Sequence, residues 1–283
     1  MLPTTFFLPC ADGHQMPVYS WLPETDPVAI LHISHGMAEY GQRYHEIAAY
    51  FVEKKIGVYV HDQRGHGGAV KEMADLGITG PDWFNKQLED IDLCIQHHRK
   101  NHPGKKIFLL GHSMGSFLSQ RYFQLHGNHI DGLILSASNG LTDPLMGMGI
   151  GLAWMQMKLF GHRSKSALID YLTFGKFNNK FKPNRTISDW LSRDEAQVNK
   201  YVADKQCGFV GTASFYYYFF KGIRDAFNKT NIKAAPKHIP VYAFAGDMDP
   251  VGLEGKGFLT LVKKLQRGSH RRRYLRFIQG RSP

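Results

Sequence analysis

Cysteine is scarce in this chain, and its placement excludes a good deal. Cys10, Cys94 and Cys207 are too few and too far apart for a disulfide framework or a paired CxxC metal site, and they suit a reducing compartment. Long apolar runs are missing as well. The uncharged stretch Pro144 to Met157 has 14 residues, short of the roughly 18 to 20 that cross a bilayer. The opening MLPTTFFLPCADG has neither the cationic start nor the apolar length of a secretory leader. A cytoplasmic protein is expected, with peripheral contact at the inner membrane face left open.

Acidic residues are absent from the end of the chain. From Lys263 onward there are two Lys and six Arg and no Asp or Glu, so this tail carries +8 of the net +11. The body is therefore nearly neutral. A basic end can bind phosphates or anionic lipid, but no helix-turn-helix, zinc-finger or RRM pattern accompanies it, and no nucleic-acid partner is expected.

What the sequence does have is 43% apolar residues over 283 positions, enough for a sizeable core. Short β-rich runs alternate with amphipathic stretches, which argues for an α/β fold around a largely parallel sheet. Eight strands are expected, at Thr5 to Leu8, Val18 to Trp21, Ala29 to Ser34, Gly57 to His61, Ile107 to Gly111, Gly132 to Ala137, Pro240 to Ala245 and Tyr274 to Ile278. Trp83 to His102 reads as a helix with Phe84, Leu88, Ile91 and Ile95 on one face and Asp82 as its N-cap. Ser116 to Leu125 reads as another.

Between about Leu141 and Ala235 the rhythm breaks. An insertion of that length is expected to fold as a mainly helical cap, dividing the chain into a core over 1–140, a cap over 141–235 and a second core part over 236–283. Met148, Leu152, Met155 and Leu159 share helical spacing. They are expected to pack on the main domain or, alternatively, to form a flexible thioether-rich wall for an acyl chain that touches a membrane surface.

Chemistry concentrates at Gly111-His112-Ser113-Met114-Gly115, a G-x-S-x-G between the strand KKIFLL and the helix SFLSQRYFQL. In that setting the two glycines allow a sharp turn without Cβ clashes, and Ser113 is held at the strand end with its hydroxyl exposed as a nucleophile. The loop His35-Gly36-Met37-Ala38-Glu39 follows the strand AILHIS. It can supply a second backbone donor for an oxyanion, with the N–H groups of Met37 and Met114 as the pair. His35 is expected to be a structural hydrogen-bonder. PVYAFAGDMDPVG offers Asp249, with Asp247 as the alternative, as the acid that orients a histidine.

These segments resemble the α/β-hydrolase superfamily, close to the bacterial monoacylglycerol lipase and lysophospholipase group often labelled serine aminopeptidase-like. The resemblance rests on HGMAEYGQRY (35 to 44), DQRGHG (62 to 67), GHSMGS (111 to 116), DWLSRDEAQVNKYVADKQCGF (189 to 209) and GDMDPVGLEGKG (246 to 257). It implies an α/β-hydrolase fold, an eight-stranded mostly parallel sheet with an inserted cap, and hydrolysis of a carboxylic ester of a lipid through an acyl-enzyme. It also implies Ser113 as nucleophile, Asp249 as acid, Met37 as oxyanion donor, and Asp62, Arg64 and His66 as scaffold. Neither a metal nor a cofactor is implied.

The chain departs from that family at its end. The family histidine follows the last strand, and here only Gln279, Gly280, Arg281, Ser282 and Pro283 do. His270 precedes that strand, His112 is expected to point away from Ser113, and His35 and His66 would lack Asp249 behind them. Loss of such a base costs about 10⁶ in kcat in a comparable serine hydrolase. Little or no activity is therefore expected, with a shifted or prematurely ended reading frame as the expected origin of the Arg-rich end. A non-catalytic, lipid-binding remnant is the alternative.

Overall fold

The computed structural model describes residues 1–141, 145–266 and 273–278. Eight strands form one sheet: β1 (Thr4–Pro9), β2 (Gln15–Trp21), β3 (Ala29–Ser34), β4 (Ile56–His61), β5 (Lys106–His112), β6 (Gly132–Ser136), β7 (Val241–Gly246) and β8 (Arg273–Ile278). Their order is β1-β2-β4-β3-β5-β6-β7-β8. The β1–β2 and β2–β4 pairs are antiparallel, and every pair from β4 to β8 is parallel. All eight expected strands are present, β3 with the expected bounds and the others with ends within three residues of those expected.

Burial on both faces explains why β3, AILHIS, reads as a continuous run rather than an alternation. One face, with Leu31, Ile33, Val58 and Val60, packs beneath α1 (His45–Glu53). The other meets α2 (Trp83–Asn101) and α3 (Met114–His126) in a larger core that includes Ile30, Leu109, Leu118 and Phe123. Phe84, Leu88, Ile91 and Ile95 of α2 are buried as their spacing requires. Asp82 does stand at the N-cap, but in a left-handed conformation, φ 56, with no cap hydrogen bond. Its carboxyl accepts the Asn85 side-chain amide instead. The helix after β5 begins at Met114, two residues earlier than expected, directly after Ser113.

Between β6 and β7 lie α4 (Met146–Phe160), α5 (Ala167–Phe174), α6 (Glu195–Ala203), α7 (Ala213–Ala226) and α8 (Lys229–Ala234). α9 (Lys256–Gln266) follows β7 and buries Phe258, Leu261 and Val262. The expected packing face of α4 is not the buried one. Met148, Met155 and Leu159 are 71%, 48% and 68% exposed, whereas Ala153 and Met157 are buried. α4 is apolar nearly all round, so its spacing could not say which side would be covered.

Candidate active site

Ser113 sits where β5 ends and α3 begins, with φ 48 and ψ −115. A non-glycine residue in that region is strained. The left-handed turn therefore falls on the serine itself, and Gly111 and Gly115 serve a different purpose. A Cβ on Gly115 would collide with the Ser34 and His35 carbonyls, and one on Gly111 with the Gly115 carbonyl and the Ser119 hydroxyl. The glycines allow α3 to press against β3, and that approach forces the bend.

Hydrogen bonds hold the bend from behind. The Ser113 amide donates to the Ser136 carbonyl at 3.0 Å. Ser116 Oγ lies 2.6 Å from the Ser113 carbonyl and 2.7 Å from Ser138 Oγ, which accepts the Gln120 side-chain amide at 3.0 Å. None of this support was signalled beyond the motif. Ser113 is half-buried and lines a cavity of about 580 Å³ together with Gly36, Met37 and His112.

The Met37 and Met114 amides make no hydrogen bond to a backbone carbonyl among the described residues. Met114 opens α3, where the helix N-terminus favours developing negative charge. The loop carrying Met37 is fastened on both sides. Gln63 N–H donates to His35 Nε2 at 3.0 Å, so His35 Nδ1 carries the proton and donates to the Gly36 carbonyl at 2.8 Å. With both ring nitrogens engaged, His35 is placed as a brace. On the far side, the Ala38 carbonyl accepts the Gly208 amide at 2.9 Å and the Tyr201 hydroxyl at 3.1 Å. Ala38 is itself left-handed, φ 54. This strap spans 163 residues of sequence, which is why no local pattern announced it.

Glu39 and Arg43 also line the cavity. Glu39 accepts the Gly36 amide at 2.5 Å and the Tyr44 hydroxyl at 2.9 Å, and pairs with Arg43 at 3.3 Å. Burial alone would raise its carboxyl, but His112, His35, Arg43 and the Gly36 amide outweigh it and hold the group below the ordinary Glu value. Other parts of the lining are apolar, with Phe174, Ile187, Trp190 and Leu191.

Asp249 is fully buried after β7, whereas Asp247 is exposed. Oδ1 of Asp249 accepts the Val251 amide at 2.9 Å, and Oδ2 has no partner among the described residues. Burial pushes its pKa up to about 6 against the pull of the Val251 and Gly252 amides. Among the described residues no histidine is hydrogen-bonded to Asp249 or Ser113; His270 and residues 279–283 lie outside them. His112 contacts Ser136 Oγ at 3.1 Å, and burial lowers its pKa. His66 is buried against Phe209 and Phe215, with burial lowering its pKa to about 3. Asp62 receives the Gly41 and Gly68 amides and the Tyr19 hydroxyl, and Arg64 pairs with Asp90 and Asp12.

A family model described as serine aminopeptidase, S33, matches residues 25–276. The chain belongs to that family. It is similar to the human monoglyceride lipase, 27% identical over 198 residues that cover 69% of this chain and 57% of that enzyme. The chain thus spans little more than half the length of that relative. Among solved structures, a carboxyl esterase from Bacillus coagulans in complex with glycerol superposes with a TM-score of 0.88 at 24% identity, covering 100% of this chain and 92% of that one. A soluble variant of the Saccharomyces cerevisiae monoglyceride lipase gives 0.75 at 18% identity, covering 100% and 88%. The fold is that of the α/β-hydrolases. Among the described residues, no helix is long and apolar enough to cross a membrane.

Proposed function

We propose that this S33-family chain carries the machinery for hydrolysing a carboxylic ester of a lipid, a monoacylglycerol or lysophospholipid, through an acyl-enzyme on Ser113. The observation that carries this reading is the strained serine facing a cavity that is polar at Glu39 and Arg43 and apolar at Phe174, Ile187, Trp190 and Leu191. Ser113 Oγ attacks the ester carbonyl, and the Met37 and Met114 amides receive the oxyanion. The alcohol leaves with a proton, and water then releases the fatty acid. Removing one such donor costs about 2.7 to 4 kcal/mol of transition-state stabilisation. Glu39 and Arg43 orient headgroup hydroxyls, and the apolar lining takes the acyl chain. Neither a metal nor a cofactor is needed, because backbone amides meet the developing charge.

The unpartnered Asp249 Oδ2 is where the N–H of a catalytic histidine would dock. Turnover is therefore expected to depend on a histidine ring reaching this oxygen. The same oxygen favours a second reading, a lipid-binding relative that has kept the cavity without the base. Treatment with a fluorophosphonate separates the two: modification of Ser113, absent in Ser113→Ala, supports the hydrolase, and silence supports the binding protein. The exposed apolar residues of α4 supply a surface for peripheral contact with lipid. Vesicle co-sedimentation unaffected by Met148→Asp with Leu159→Asp counts against that contact.

A further inference from the structure

His32 in β3, His61 at the end of β4 and Cys94 in α2 are each fully buried. They lie beneath α2, remote in role from the serine and unused by the chemistry above. One ligand-competent atom from each lies within 4.8 Å of the other two. His32 Nε2 is 3.0 Å from His61 Nδ1, and His32 Nδ1 is 3.0 Å from His98 Nε2. The chain of imidazoles then stops at both ends, because His61 Nε2 and His98 Nδ1 are buried without partners among the described residues. A neutral imidazole has one donor and one acceptor, so three rings in series orphan a nitrogen at each end in either tautomer arrangement. An apolar core would be easier to pack there.

We propose that His32, His61 and Cys94 form an N₂S binding site for a soft d¹⁰ metal ion, with Cu(I) preferred to Zn(II). The ion takes the place of the proton shared by His32 Nε2 and His61 Nδ1. Two nitrogens bound at about 2.0–2.1 Å to one ion stand about 3.3–3.5 Å apart, so the 3.0 Å pair opens by about half an ångström. His32 then donates Nδ1–H to His98 Nε2, the second-shell contact that fixes a ligating ring. In the hydrogen-bonded chain each neutral ring keeps one nitrogen lone pair to offer an ion.

Charge selects the ion. Cys94 is fully buried, and binding forms the metal–sulfur bond as the thiol proton leaves to solvent. A thiolate with Cu(I) is then neutral overall. Zn(II) would leave a net positive charge in an enclosed core, which is costly, and thiolate softness favours Cu(I) as well. A half-buried cluster at Asp92, His126 and His129 also brings its ligand atoms within 4.8 Å. That cluster holds no thiol and suits a harder divalent ion.

The test is an anaerobic titration of the protein with Cu(I) against bathocuproine disulfonate, in a Cys10→Ser, Cys207→Ser background that leaves Cys94 as the only thiol. One equivalent is expected to resist the chelator, with His126→Gln leaving it unchanged and Cys94→Ser weakening it at least 100-fold. Copper K-edge absorption of the one-equivalent protein is expected to show one sulfur and two nitrogens, and it decides the matter if Cys94→Ser fails to fold. No retained equivalent, retention that survives Cys94→Ser, or a shell without sulfur overturns the proposal.

Discussion

Asp249 accepts the Val251 amide at 2.9 Å through one carboxyl oxygen and buries the other without a partner among the described residues. The folded protein therefore keeps this proton up to about pH 6, whereas an ordinary Asp releases it near 3.8. Between those values the folded state binds more protons than the unfolded chain, so stability falls as pH rises. Asp249→Asn removes the titration and still offers Val251 an oxygen. Urea unfolding at pH 8 is expected to find the variant more stable by up to about 3 kcal/mol, with the difference vanishing below pH 4. A gain that does not change with pH contradicts the assignment.

Ser113 holds φ 48, and strain of this kind costs about 1–3 kcal/mol. Ser113→Gly relieves it, against an entropic cost of about 0.5–1 kcal/mol for glycine. Thermal unfolding is expected to show a net gain of about 1 kcal/mol alongside loss of fluorophosphonate labelling. A destabilised variant would mean that the bend is not strained.

Gly115→Ala sets a Cβ against the Ser34 and His35 carbonyls, which are backbone atoms within and just after β3. Overpacking against groups that cannot rotate away is expected to cost about 3 kcal/mol or more. Gly151→Ala, in α4 with nothing within 4 Å of its new methyl, is expected to stabilise by about 0.5–1 kcal/mol. Equal melting temperatures for the two variants rule out this account of the glycines.

Glu39→Gln tests the loop from its other side. The carboxylate that receives Gly36, Tyr44 and Arg43 is held below the usual Glu range. Its contribution is present at neutral pH and is lost as pH falls through and below the ordinary value of 4.5. Glutamine is expected to cost about 1–3 kcal/mol at pH 7 and progressively less towards pH 4. Chemical denaturation at the two pH values measures it, and a constant penalty argues against an ionised Glu39.

The sheet was readable because strands such as β3, β4 and β6 are short apolar runs buried on both faces. Ser113 was readable because strand, motif and helix are contiguous. α4 was not, since an all-apolar helix has no preferred face and its spacing marked Met148 and Leu159, which the fold leaves in water. Asp82 was readable as the N-cap, but not that its left-handed backbone, φ 56, would turn the carboxyl towards Asn85. The Tyr201 strap, the Ser116–Ser138 brace and the His32–His61 pair join residues 163, 22 and 29 positions apart. No window along the sequence contains such contacts.

The double clasp on the Ala38 carbonyl has a mechanical consequence. If the segment bearing Tyr201 and Gly208 swung outward, it would let go of the loop it covers and so disarm whatever it uncovered. That flank of the chamber is a fixed wall. Traffic of ligands falls to other parts of the lining, among them Tyr171 and Ile187, which stand 66% and 85% open to water.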